Sequence, residues 1–168
     1  PQSRFEKKEA KINYDILAIV SGPEPQRTIF ENILIKELKK LNKKSLLVQG
    51  KPEINNKKTD ENLNVISHLS SEELNKAILE SKLIICRSGY STIMDLYKLE
   101  KNAILVPTPG QTEQEYLANH LSKNDSFKTQ IQNRFSIEKA INQAKSFKKI
   151  KNYETKFDWH NLFEIFEK

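Results

Sequence analysis

The stretch CRSGYSTIMD, Cys86–Asp95, decides the fold. The apolar run Lys82–Cys86 has the length and β-branched content of a buried strand. It stops abruptly at Arg-Ser-Gly, and the residues beyond carry apolar side chains at helical spacing. A buried strand that turns at a glycine straight into a helix is the repeating unit of an α/β sheet.

The same unit recurs on both sides. Tyr14–Gly22 (YDILAIVSG) reads as a buried strand, and Pro25–Asn42 as an amphipathic helix with Ile29, Ile33, Leu34, Leu38 and Leu41 near one face. Ser45–Gly50 and Leu63–Leu69 read as strands, with the polar segment Lys51–Asn62 between them as a loop. SSEELNKAILES carries a helix start, with Ser70 or Ser71 as N-cap and acidic residues in the first turn. After the helix STIMDLYKLEK come a strand, Asn102–Pro109, and a helix, Gln111–Lys123. Two further helices are predicted, SIEKAINQAKSFKK and Lys156–Lys168, the last with Phe157, Leu162, Phe163 and Phe166 for packing. Strands alternating with helices predict an α/β domain with a mostly parallel, Rossmann-like sheet flanked by helices. Its predicted extent is 14–150, preceded by a polar, linker-like run at 1–13 and followed by a terminal helix at 151–168.

A chain of 168 residues suits one domain with a substantial core. Lys and Arg total 28 against 22 Asp and Glu, and the net charge of +6 favours anionic partners. The lysines are spread over many segments and are not interleaved with aromatics, which argues against a nucleic-acid stacking surface. Cys86 is the only cysteine, so an intrachain disulfide and a multi-cysteine metal site are excluded and a reducing, cytoplasmic setting fits. No run approaches the roughly 20 apolar residues that span a bilayer, so contact with a membrane would be peripheral. Pro1, in place of an initiating Met, suggests an excised domain with a partner domain on its N-terminal side.

In a parallel α/β sheet, ligands bind outside the carboxyl ends of the strands. Four junctions qualify here: Ser21–Thr28, Ser67–Glu73, Cys86–Thr92 and Pro107–Glu115. At the third, Gly89 permits a sharp turn and close approach to the backbone, the helix start presents free N–H groups, and Ser88, Ser91 and Thr92 add hydroxyls, a combination that suits a phosphate or diphosphate. Ordinary helix capping uses the same residue types. Asp95, one helical turn on, is placed either to accept hydrogen bonds from a ribose diol or simply to solvate a helix surface. No Walker loop, GxGxxG, HExxH or GxSxG motif occurs. Cys86 reads as core and not as a nucleophile, and Trp159 as packing for the terminal helix.

The series CRSGYSTIMDLYKLEKNAILVPTPGQTEQEYLANHL resembles the donor-nucleotide half of glycosyltransferase family 28, GT-B enzymes that include the lipid-linked UDP-N-acetylglucosamine transferase of peptidoglycan synthesis. The resemblance is clearest from Asn64 to Leu121. It implies the C-terminal half of a GT-B fold. Ser88, Gly89, Ser91 and Thr92 would then face the diphosphate, Asp95 would stand for the family's ribose-binding Glu, and His68 and Leu69 would hold the base. Gln114 would match the first of two sugar-contacting glutamines, with Glu115 replacing the second. The family's glycine-rich first loop reads SGPEPQR here, leaving Gly22 and adding Arg27.

The resemblance also implies a UDP-sugar donor and a hexose or N-acetylhexosamine transferred toward cell-envelope polysaccharide, with the acceptor left open and a lipid-linked one among the candidates. The protein would be cytoplasmic, its basic surface leaving peripheral contact with the inner membrane face open, with no metal or cofactor, and with its catalytic base in the N-terminal domain, so that the fragment alone would be inactive. A nucleotide-sugar hydrolase or epimerase would need the same turn, and a nucleic-acid-binding module is the rival from another class.

Overall fold

The structure, a computed structural model, describes residues 5–123 and 125–150. The predicted terminal helix, with Trp159, lies outside the described residues. Among the described residues, seven strands form one sheet, in the order β3-β4-β2-β1-β5-β6-β7. They are β1 (Tyr14–Ile19), β2 (Ser45–Val48), β3 (Lys57–Asp60), β4 (Leu63–Ile66), β5 (Ser81–Cys86), β6 (Ala103–Leu105) and β7 (Phe127–Thr129). The helices are α1 (Gln26–Leu38), α2 (Ser71–Leu79), α3 (Tyr90–Lys98), α4 (Thr112–Ser122) and α5 (Ile137–Ala144), with a short 3-10 turn at Gln132–Arg134. This is the Rossmann-like α/β architecture the alternation predicts.

Every pairing is parallel except that of β3 with β4. The period-2 alternation of the strands divides the core in two. Leu17, Leu46, Ile84, Cys86 and Leu105 point to one face, where they meet Ile78, Ile93, Leu96 and Leu117 of α2, α3 and α4. Ile16, Ala18, Leu47, Ile85 and Ile104 point to the other, against Phe30 and Leu34 of α1 and Ala140 of α5. Because both faces are covered, β5 is a nearly unbroken apolar run, which is why its strand character is readable without alternation.

Two strands depart from expectation. The segment Lys51–Asn62, expected as a loop, contains β3, an exposed edge strand whose Lys-Lys-Thr-Asp sequence holds no apolar residue to announce it. Strand β7 has only Phe127 as its apolar marker, packed edge-on against Tyr97 at 5.2 Å. Residues 5–13 have no regular structure, and Phe5 is buried in the α2–α3–α4 side of the core. The Asn75 side chain donates to the Glu6 carbonyl at 3.1 Å, and Lys7 pairs with Glu100 at 2.6 Å.

Strand order reverses between β1 and β5: the chain leaves β1 toward β2 on one side and returns to β5 on the other. In register, Ile19 lies beside Cys86, so the loop after β1 and the turn after β5 open side by side. Such a switch point is where a parallel sheet offers its crevice.

Candidate functional site

The loops that leave the carboxyl ends of β1, β4, β5 and β6 feed α1, α2, α3 and α4, and these helix starts are not equivalent. Helix α2 is closed by a full capping box: Ser70 accepts from the Glu73 N–H while the Glu73 carboxylate accepts from the Ser70 N–H. Of the two predicted caps, Ser70 is the one used. Glu24 serves α1, accepting from the Thr28 N–H at 3.1 Å and from Arg27 Nε at 3.0 Å. These bonds, the Thr28 amide foremost, hold the Glu24 carboxyl below its ordinary range. Helices α3 and α4 begin at Gly89 and Gln111 without any side-chain cap. Helix α3 thus starts at the crevice without a capping side chain from its own N-cap residue.

The sharp turn expected of Gly89 does not require a glycine: its backbone, φ −71° and ψ 143°, suits any residue. Nor does packing demand one, since no atom lies within 4 Å of where a Cβ would stand. Nothing in the described chain accounts for a glycine at this helix start. Gly22 differs: its φ of +100° is one that glycine adopts freely, and a Cβ there would stand 3.6 Å from the Thr108 Oγ1.

Ser88 is fully buried and its hydroxyl donates to the Gln114 carbonyl at 2.7 Å, tying the β5 turn to α4. Ser91 is exposed and Thr92 half-buried in the first turn of α3. Asp95 is 6% exposed, so it does not serve to solvate a helix surface. Gln114 folds back, accepting from the Thr108 N–H at 3.0 Å and donating to Gln111 Oε1, while Glu115 accepts from the Gly110 N–H at 3.1 Å. Both therefore brace the loop after β6. His68 is exposed, its Nδ1 3.3 Å from the Ile54 carbonyl, and Leu69 packs half-buried on the core. They follow β4, on the far side of β2 and β1 from the β5 turn. Arg27 donates to the Gly50 carbonyl at 2.8 Å as well as to Glu24, joining the first loop to the end of β2.

Cys86 is buried inside β5, and burial pushes its thiol up to about 12, so it is core and carries no thiolate at neutral pH. Among the described residues, no group of three His, Cys, Asp or Glu side chains is placed to hold a metal ion, and no helix is long and apolar enough to cross a membrane.

Arg87 stands inside the deciding stretch, yet no motif announces it. Its guanidinium is 1% exposed and donates to the carbonyls of Val106, Pro107 and Gln26 and to Gln132 Oε1, at 2.7 to 3.3 Å. It stacks on the Phe30 ring at 4.2 Å. The one sequence signal is its place: an arginine directly after an apolar strand, where it is buried, needs oxygen acceptors around its five N–H donors.

Compared with solved structures, the chain is similar to MurG of Acinetobacter baumannii, with a TM-score of 0.59 at 19% identity, over 93% of this chain and 50% of that one. At that identity the likeness concerns the fold, and the chain spans half the length of that protein. No curated protein sequence matches the chain. Residues 16–158 match the glycosyltransferase family 28 C-terminal domain. With the match covering β1 through α5, the chain belongs to the glycosyltransferase family 28 C-terminal domain family.

Proposed function

We propose that this chain binds the nucleotide-sugar donor, a UDP-sugar, of a glycosyltransferase whose acceptor is held by another part of a longer protein. The observation that carries the reading is Gly89. A glycine with an ordinary φ and empty space before it is explained by a ligand that comes up to the backbone at the uncapped start of α3. The crevice at the β1–β5 reversal supports it, because such reversals leave room for a ligand beyond the strand ends.

In this reading the diphosphate rests on the first amides of α3 and on the hydroxyls of Ser91 and Thr92. Ser88 acts through its tie to α4, its hydroxyl proton being committed there. Asp95 accepts from the ribose diol, and the backbone at His68 and Leu69 lines the base. Gln114 and Glu115 shape the loop that meets the sugar. When the glycosidic bond breaks, negative charge develops on the departing diphosphate, and fixed N–H dipoles stabilise it without having to reorganise. A hexose or N-acetylhexosamine goes to a lipid-linked acceptor at the inner membrane face, toward cell-envelope polysaccharide.

Calorimetric titration with UDP, GDP, ADP and TDP, with and without magnesium, tests the reading. The expected result is UDP-selective, metal-independent binding that Asp95→Ala weakens by about 1–3 kcal/mol, the cost of lost ligand hydrogen bonds. Gly89→Ala is expected to fold as well as the parent while losing UDP affinity. A folded full-length protein that binds none of the four nucleotides overturns the reading.

A further inference from the structure

The first loop of this chain leaves an electrostatic problem. Its own cation, Arg27, is bonded to Glu24, and the cation of the neighbouring loop, Lys51, is bonded to Glu31 at 2.6 Å. A dianionic ligand in the crevice would find both neutralised. Arg87 is different. Every partner of its guanidinium is a neutral oxygen, and no carboxylate among the described residues pairs with it. Its Nε–H is buried without any acceptor. Burial pulls the group down to about 10, which still leaves it charged at neutral pH. A buried cation with no counter-charge is costly to maintain, and an anion brought near relieves that cost.

Its position suits the task. From the end of β5, Arg87 reaches the carbonyls that follow β6 and, separately, the Gln26 carbonyl at the start of α1. The Gln132 side chain completes the clasp, accepting from Arg87 at 2.7 Å and donating to Gln26 Oε1 at 2.7 Å. The first loop and the β5 turn, the two walls of the crevice, are thereby held to one another from beneath.

We propose that Arg87 is a positioning residue of the donor site: it clasps α1 to the β5 turn and keeps an unneutralised positive charge under the crevice, which a diphosphate compensates. The inference rests on the donor-binding reading above and adds the source of its phosphate selectivity.

The test separates charge from scaffolding by comparing a ligand with phosphates and one without. Affinities for UDP and for uridine are measured calorimetrically on the full-length protein, as wild type, Arg87→Lys and Arg87→Met. The expected result is a loss of about 20-fold in UDP affinity for Arg87→Met with uridine affinity little changed, and a smaller loss for Arg87→Lys, which keeps the charge. Equal losses for both ligands, or none for either, overturn the proposal, because a purely structural clasp does not distinguish them. Should Arg87→Met fail to fold, the Arg87 Nε–H resonance of wild type decides: movement with UDP and not with uridine supports the role, and a resonance indifferent to both removes it. Failure of wild type to bind either ligand removes the donor reading and this inference with it. Wild type binding UDP while Arg87→Met behaves identically removes the inference alone.

Discussion

The Ser88 hydroxyl donates to the Gln114 carbonyl at 2.7 Å, so the turn after β5 is tied directly to the first turn of α4. Ser88→Ala removes a buried hydrogen bond whose net worth is about 1 kcal/mol. Urea unfolding is expected to show that loss, with UDP affinity changing only as far as the turn relaxes. Unchanged stability would mean that α4 is held by its apolar face alone.

Phe5 supplies a second expectation. It is 2% exposed and packs into the core beside α2 and α3, although the segment joining it to β1 has no regular structure. Phe5→Ala is expected to cost about 3 kcal/mol, the low end for a buried phenylalanine, because an irregular segment can settle partly into the space. Chemical denaturation measures it. A cost below about 1 kcal/mol would mark the segment as loosely attached.

The alternation of strands and helices was legible because parallel strands covered on both faces become short apolar runs, and Lys82–Cys86 is one. Strand β3 was not legible: its residues Lys57–Asp60 are held by backbone pairing to β4, and no side-chain pattern reports backbone pairing at an edge. Within the candidate site, the residues of the β5 turn stood out by type and order. Their orientation did not, since nothing in the letters Ser-Gly says that the serine points inward to α4 and that the glycine faces open space. The contacts of Arg87 were hidden because its partners are carbonyls and a carboxamide from three distant segments, which sequence spacing does not encode.

Acid stability should report Asp125, which stands just before β7 with φ 55° and pairs with Lys128 at 2.5 Å and Lys148 at 2.9 Å. The hydrogen bond from Lys128, then that from Lys148, holds its carboxyl at about 2, against an ordinary 3.8. A carboxyl lowered on folding contributes fully above its unfolded value and loses that contribution as pH falls through its folded one. The melting temperature is therefore expected to drop between about pH 4 and pH 2. Asp125→Asn is expected to flatten part of that slope. An identical slope in the variant would assign the acid limb to other carboxyls.

The two ends of the sheet carry one more implication. Its outermost strands are four and three residues long, and the one at the β3 end exposes Lys57 and Lys58. A second molecule seeking to add a strand there would have to bring its backbone alongside two ammonium groups for only a few hydrogen bonds. Among the described residues, the short, lysine-bearing β3 edge is thus a deterrent to self-association by sheet extension.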